Sequence, residues 1–144
     1  MKVDFYVLEA TRQKSLFFAC RLLEKAYKEQ KEVYVHVASQ EAAEKLDDLL
    51  WTYKEDSFIP HALTPTKESY PSPILIGYES TNVVEKESLL NLCQAFLPFH
   101  TQFKHIIEIV FSDPHVQQLA RERYRQYRDH HYEINTYKLK ATEL

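Results

Sequence analysis

Hydrophobic and polar positions follow two different periods in the first part of the chain. Residues 2–8 hold a run of β-branched and aromatic side chains that is typical of a strand. Apolar positions then recur at helical spacing across residues 12–30, with lysines and glutamates on the far side. Residues 32–37, EVYVHV, again show the pattern of a strand. A long helix between two strands predicts a βαβ unit with parallel strands and a right-handed crossover.

The middle of the chain predicts a second helix followed by a long loop. Ser39 is a candidate N-cap for a helix that ends near Trp51, with alanines and leucines as its apolar stripe. Trp51 lies off that stripe, so it either folds over a neighbouring loop or belongs to a surface that contacts a partner. Residues 52–73 lack both periods and contain several prolines, which predicts a functional or mobile loop. The segment 57–61, SFIPH, is expected on the surface beside Trp51.

The second half of the chain predicts three more strands and a third helix. The apolar runs that are typical of buried strands lie at residues 74–78, 88–93 and 105–111. Aromatic residues between 96 and 103 indicate a short helix or turn. Asp113 is a candidate N-cap for the last helix, with Pro114 at the first helical position.

The order of these elements, β-α-β-α-β-β-β-α, predicts the fold class. Helices are available for both faces of the sheet, so residues 1–144 are expected to form a single three-layer α/β/α domain. The sheet is expected to be mostly parallel, with a Rossmann-like outline. Residues 132–144 are expected to form a polar C-terminal tail of uncertain order.

The last predicted helix carries a concentration of arginine and tyrosine. The side chains that share one face at 3.6 residues per turn are Gln117, Gln118, Arg121, Arg125 and Arg128. Arginine recognises carboxylate and phosphate groups through planar, bidentate hydrogen bonds, so this face is a candidate dock for an acidic partner. The alternative is a solvated amphipathic helix without a binding role.

One arginine of this helix faces the other way. The apolar face is formed by Val116, Leu119, Ala120 and Tyr127, and Arg123 falls in its middle. A guanidinium is tolerated there only if its stem reaches solvent or its charge is paired. Glu108, set among isoleucines on the preceding strand, is the nearest candidate partner.

Composition limits the classes of protein that fit. The chain has 144 residues, of which 44% are hydrophobic and 27% charged, as is ordinary for a globular domain. Its net charge of -3 argues against general nucleic-acid binding. It has neither an apolar run long enough for a membrane span nor the N-terminal pattern of a signal peptide, so a cytoplasmic location is expected.

Gly77 is the only glycine, which excludes several kinds of active site. A Walker phosphate loop and a dinucleotide G-x-G-x-x-G turn each need several glycines, because the backbone must approach the phosphates closely. The nucleophile elbow G-x-S-x-G fails for the same reason. The sequence therefore predicts neither a phosphate-binding loop nor a nucleotide cofactor.

The histidines do not form a metal-binding pattern. His100 and His105 are five positions apart, which is not a ligand spacing on a helix. His130 and His131 are neighbours and point to different helix faces. No metal site is therefore expected.

Cysteines and acidic pairs give equally weak signals for catalysis. Cys20 and Cys93 stand among apolar residues, which predicts reduced thiols in the core. Asp47 and Asp48 diverge on a helix, so a solvated surface is favoured over an acid/base pair. A Cys93–histidine nucleophile stays open, but nothing local supports it. Enzyme activity of the isolated chain is not expected.

Three segments carry a resemblance to a known family. FYVL near the start, LDDLLWTYKEDSFIPH at 46–61 and QLARERYRQYR at 118–128 resemble the chi subunit of the bacterial DNA polymerase III holoenzyme. The resemblance covers nearly the whole chain. It implies a non-catalytic accessory protein of DNA replication, without a cofactor and with an α/β fold that lacks a phosphate loop.

The resemblance also implies two protein partners, with DNA reached only indirectly. One is the psi subunit of the clamp loader, and the other is the acidic C-terminal tail of single-stranded DNA-binding protein, which ends in aspartates followed by Ile-Pro-Phe. The tail-binding residues that it implies are Val110, Gln117, Arg121, Tyr124, Arg125 and Arg128. Gln117 stands where the family carries lysine, so one expected charge is absent and Arg128 is a candidate to share its role. Trp51 and Phe58 are implied in the surface that faces psi.

Two other hypotheses remain open from the residues alone. A small module for single-stranded nucleic acid could use the Arg/Tyr helix for phosphate contacts and base stacking. A degenerate enzyme that lost its phosphate loop would instead keep a deep polar pocket at the C-terminal ends of the strands.

Overall fold

A computed structural model of the chain describes residues 1–54, 58–64, 72–80 and 83–144. The strands of the described residues are β1 (Lys2–Leu8), β2 (Val33–His36), β3 (His61–Leu63), β4 (Ile74–Gly77), β5 (Ser88–Asn91), β6 (His105–Val110) and β7 (Glu133–Leu139). The α-helices are α1 (Arg12–Lys28), α2 (Gln40–Thr52) and α3 (Pro114–Asp129). Short 3-10 helices lie at Pro98–Gln102 and Ala141–Glu143.

The strands form one seven-stranded sheet in the order β3-β4-β2-β5-β6-β1-β7. Every strand pair in it is parallel. The connections β1–β2 and β2–β3 move towards β3 and carry α1 and α2, whereas the connections β5–β6 and β6–β7 move the other way and carry residues 92–104 and α3. A right-handed crossover places these two sets on opposite faces. The predicted three-layer α/β/α architecture is therefore confirmed.

Each layer of helices covers its own hydrophobic core. α1 and α2 pack on one face through residues such as Leu23 and Leu46. α3 packs on the other through Val116, Ala120 and Tyr127, and this side is called the α3 face below. None of the helices in the described ranges combines the length and apolar content that crossing a membrane requires.

The predicted helix starts are confirmed by hydrogen bonds. The Ser39 hydroxyl accepts from the Ala42 backbone N–H at 3.1 Å. The Asp113 carboxylate accepts from the Val116 N–H at 2.9 Å, with Pro114 at the first helical position. Each cap satisfies a backbone donor that the helix itself leaves without a partner, so the sequence alone locates these ends.

The prediction of an irregular loop over residues 52–73 was wrong in part. β3 pairs in parallel with β4 at the edge of the sheet. Ile59 is 1% exposed and not on the surface as expected, whereas Phe58 is exposed. A strand of three residues is too short to show a period, and its backbone pairing with β4 decides its structure. The parts of the predicted loop at 55–57 and 65–71 lie outside the described residues.

The prediction of a polar tail at residues 132–144 was also wrong. β7 pairs with β1 along its whole length, with Thr136 opposite Phe5 and Lys138 opposite Val7. β7 lies at the edge of the sheet, where most of its side chains stay exposed. Its polar sequence therefore does not predict a strand, because an edge strand does not need a continuous apolar pattern.

Gly77 has a packing role in this fold. A Cβ atom there would collide with the Tyr34 hydroxyl and lie 2.7 Å from Thr64 Cγ2. The left-handed backbone positions of the described residues fall instead on Gln30, Gln94 and His131. Close contact between side chains and the β4 backbone is thus the reason for glycine at this position.

Candidate functional site

A groove of about 460 Å³ lies between α3 and the C-terminal halves of the neighbouring strands. Its helix side is lined by Gln117, Ala120, Arg121, Tyr124, Arg125 and Arg128. Its sheet side is lined by Phe5, Val7, Val110, Thr136 and Lys138. This basic groove contains all six residues that the sequence singled out for tail binding. Gln118, expected on the same helix face, is not among them.

The cations of the basic groove are not neutralised by any carboxylate of the described residues. Arg121, Arg125, Arg128 and Lys138 are exposed. None of the four forms an ion pair with a carboxylate in the part of the chain that the structure describes. Unpaired cations that line one concave surface attract an anionic ligand, and arginine adds bidentate hydrogen bonding.

The floor of the basic groove is apolar. Phe5 and Val110 are each 3% exposed. Tyr124 is 38% exposed and its ring packs against Phe5, with 5.6 Å between centroids. A ligand whose apolar end lies next to acidic groups could therefore contact the apolar floor and the cations of the groove at the same time. Sequence reasoning missed Phe5, Val7, Thr136 and Lys138, because only the pairing of β1 with β6 and with β7 brings these residues under α3.

Beneath the groove, a buried polar network anchors α3 to the sheet. Arg123 is 2% exposed, and its Nε donates to Glu108 Oε1 at 3.1 Å. The other oxygen of Glu108 accepts from the Tyr127 hydroxyl at 2.7 Å and from Asn91 Nδ2 at 3.0 Å. Arg123 Nη2 donates to Gln94 Oε1 at 3.2 Å. The predicted Arg123–Glu108 pair is confirmed, and it holds in place the helix whose opposite face carries the exposed arginines.

Burial dominates the titration of this network. It raises the pKa of Glu108, while the charge of Arg123 and the hydrogen bond from Tyr127 oppose the shift. Burial also raises the pKa of the Tyr127 hydroxyl, and the adjacent Glu108 adds to that effect. Tyr127 therefore stays a neutral donor to the carboxylate. The hydrogen bonds of this network anchor α3 to the sheet.

A second exposed feature lies on the other side of the molecule. Trp51 and Phe58 are 51% and 65% exposed, and their ring centroids are 5.5 Å apart. We call this pair the aromatic patch. The His61 ring lies beside Trp51 at 4.8 Å. Two adjacent exposed aromatic side chains are a common feature of protein–protein contact surfaces.

Asp47 supports the aromatic patch and is not the solvated residue that was expected. It is half-buried, and its Oδ1 lies 3.0 Å from His61 Nε2, although the two groups are not aligned for a hydrogen bond. Asp48 is exposed. The contact ties α2 to β3, at the end of the sheet opposite β7. The basic groove and the aromatic patch are thus at opposite edges of the sheet.

Burial disfavours the thiolate form of both cysteines. Both cysteines are free. Burial raises the pKa of Cys20 to about 12 and also raises that of Cys93, which disfavours the nucleophilic thiolate. Within the described ranges, no group of three or more metal-ligating side chains converges.

The crevice at the C-terminal ends of the strands differs from the pocket that the degenerate-enzyme hypothesis predicts. The crevice between the starts of α1, α2 and α3 has a volume of about 230 Å³. Its apolar lining residues include Leu16, Val37, Leu46, Leu92, Ile109 and Phe111. In the part of the chain that is described, this crevice is small and largely apolar, whereas a nucleotide site at this edge needs a larger polar pocket.

Comparison with known proteins identifies the family of the chain. A family model described as DNA polymerase III chi subunit, HolC, matches residues 1–135. The protein named DNA polymerase III subunit chi of Pseudomonas aeruginosa is 33% identical over 139 residues, covering 96% of each chain. Its namesake in Haemophilus influenzae is 32% identical over 119 residues, covering 82% of this chain and 83% of the relative. That of Escherichia coli is 28% identical over 118 residues, covering 81% and 80%.

The structure defines a three-layer α/β protein with a groove that is lined by exposed cations from α3 and β7. The chain belongs to the DNA polymerase III chi subunit family. This confirms the resemblance that three sequence segments carried.

Proposed function

We propose that the chain is a non-catalytic accessory subunit of bacterial DNA polymerase III that links two proteins during DNA replication. One is the psi subunit of the clamp loader, and the other is the acidic C-terminal tail of single-stranded DNA-binding protein. In this role DNA is reached only through the tail, and the chain acts in the cytoplasm. The observation that carries the proposal is the basic groove, where exposed cations without an ion-pair partner among the described residues lie over an apolar floor.

The tail fits the basic groove by chemistry. Aspartates followed by Ile-Pro-Phe place negative charges directly beside apolar side chains. The arginines of α3 can donate charge-assisted hydrogen bonds to the carboxylates, while Phe5, Val110 and Tyr124 supply apolar contact. Gln117 offers neutral hydrogen bonding at one end of the groove, so the charge comes from its neighbours.

Titration of a labelled peptide with this acidic Ile-Pro-Phe ending tests the proposed tail site. We expect saturable binding that weakens as salt rises, because exposed charges are screened. The control peptide carries asparagine in place of each aspartate and should bind more weakly. Tight binding of a single-stranded oligonucleotide without binding of the acidic peptide would contradict the proposal and favour a nucleic-acid-binding module.

The aromatic patch supports the proposal of a psi-binding surface. Trp51 and Phe58 already contact each other while exposed, so a partner can cover them without prior rearrangement. Aromatic side chains at the centre of an interface supply much of its binding free energy. The patch lies far along the sheet from the basic groove, which would let both partners bind at once.

Replacing both aromatic residues tests the psi surface. Trp51→Ala with Phe58→Ala should weaken psi binding, measured by calorimetry, by more than about 2 kcal/mol. The melting temperature should hardly change because both side chains are exposed. Phe17→Ala, an exposed aromatic residue on α1, is the matched control. Unchanged psi binding, or a large loss of thermal stability, would show that the pair is not a docking surface.

A further inference from the structure

The edge strand β7 forms one wall of the basic groove, and it carries a cation that the helix pattern did not reveal. We propose that Lys138 is a direct basic contact for the acidic tail, so that the peptide is held between charges on both walls of the groove. This inference rests on the proposed tail-binding function. The binding site would then have cations on two walls, on α3 and on β7, and not on one helix face alone.

The register of the sheet places Lys138 on the correct face. Lys138 pairs with Val7, and Val7 pairs with Val110 on its other side. Residues in the same row of a parallel sheet share a face, so all three side chains point towards α3. Val110 and Val7 are part of the groove floor, and Lys138 stands at the outer end of their row.

The direction of α3 determines which of its residues lie opposite Lys138. α3 begins at Pro114, shortly after β6 ends, and runs back across the sheet. Its early residues Gln117 and Arg121 therefore lie above the row of Val110, Val7 and Lys138. Arg128 lies about 10 Å further along the helix axis. Lys138 on β7 therefore faces the end of the helix wall where the neutral residue Gln117 precedes Arg121.

The charge of Lys138 is available to a ligand. It is exposed and forms no ion pair with a carboxylate among the described residues. Lysine is a compact charge on a flexible stem, so it can adjust to a carboxylate that α3 does not reach. A peptide with several carboxylates would therefore be bound more tightly by both walls than by the helix alone.

Lys138→Met tests the proposed contact of Lys138 with the peptide, because methionine keeps the apolar stem and removes the charge. We expect peptide binding to weaken roughly five-fold at low salt and less at high salt. Lys104→Met removes the same charge from an exposed residue at the opposite end of the strands and should bind like the wild type. The melting temperature of each variant should match the wild type, since an exposed charge contributes little to stability.

A double-mutant cycle separates charge from packing. The loss caused by Lys138→Met should nearly vanish with the peptide in which asparagine replaces aspartate. Equal losses with both peptides would overturn the charge role of Lys138. Wild-type affinity in Lys138→Met would also overturn it while leaving the proposed function intact. If the wild type itself does not bind the acidic peptide, both the proposed function and the proposed role of Lys138 are wrong.

Discussion

The two sides of α3 present the same side chain in opposite environments. Arg123 is buried beneath the helix and held by Glu108, whereas Arg121 and Arg125 stand on the exposed side without an ion pair among the described carboxylates. Burial makes the charge of Arg123 costly unless it stays paired. Exposure leaves the other charges free for a ligand. The same residue type therefore serves stability on one side and recognition on the other.

The largest expected effect comes from the buried side. Arg123→Ala leaves the Glu108 carboxylate buried without its cation, which should cost about 3 to 5 kcal/mol of unfolding free energy. Thermal or denaturant unfolding measures this loss. Removing both charges with Arg123→Met and Glu108→Gln should restore much of the stability, because the glutamine oxygen can still accept from Tyr127 and Asn91. If the single and double variants are equally destabilised, the pair is not what makes the substitution costly.

The next effect tests the exposed side. Arg121→Ala should weaken binding of the acidic peptide by about 1.5 to 3 kcal/mol, because it removes a charge-assisted hydrogen bond. Its melting temperature should stay close to that of the wild type. Gln118→Ala is the matched control, since Gln118 is exposed on the same helix but does not line the groove. The contrast between the two sides fails if Arg121→Ala and Arg123→Ala melt alike and lose the peptide equally.

The smallest effect is a dependence on pH that only the buried side should show. Burial lowers the pKa of His100 from its ordinary value of 6.5, and His100 packs against Tyr127 of α3. The unfolded chain then binds this proton more readily, so stability is complete above about pH 6.5 and falls as the pH drops towards the folded pKa. We expect a loss of unfolding free energy at mildly acidic pH, in part from His36, whose pKa burial also lowers.

Unfolding measured between pH 7.5 and 5.5 tests this dependence. His100→Gln should reduce the slope, whereas His115→Gln, at an exposed position near the start of α3, should leave it unchanged. Peptide binding by folded protein should vary little over this range, because arginine does not titrate there. Stability that does not change with pH would show that burial of His100 has no net effect on its protonation.

Much of the candidate site was predictable because its residues lie on one helix. The spacing of Gln117, Arg121, Arg125 and Arg128 is visible within a few turns, and the Asp113 cap defines where the helix begins. The isolation of Glu108 among isoleucines also indicated its pairing with Arg123. The aromatic patch was predictable as an exposed pair, but the burial of Ile59 beside it was not.

The sequence by itself determined the elements that carry a helical period or a run of apolar side chains, namely the three α-helices and the strands β1, β2, β4, β5 and β6. Only the tertiary structure decided the two edge strands and the second wall of the groove. β7 is mostly polar, so it becomes a strand through backbone hydrogen bonds to β1, at the other end of the chain. Thr136 and Lys138 enter the groove by that pairing. A local pattern shows which face of a segment is apolar, but strand pairing between distant segments is a property of the folded chain.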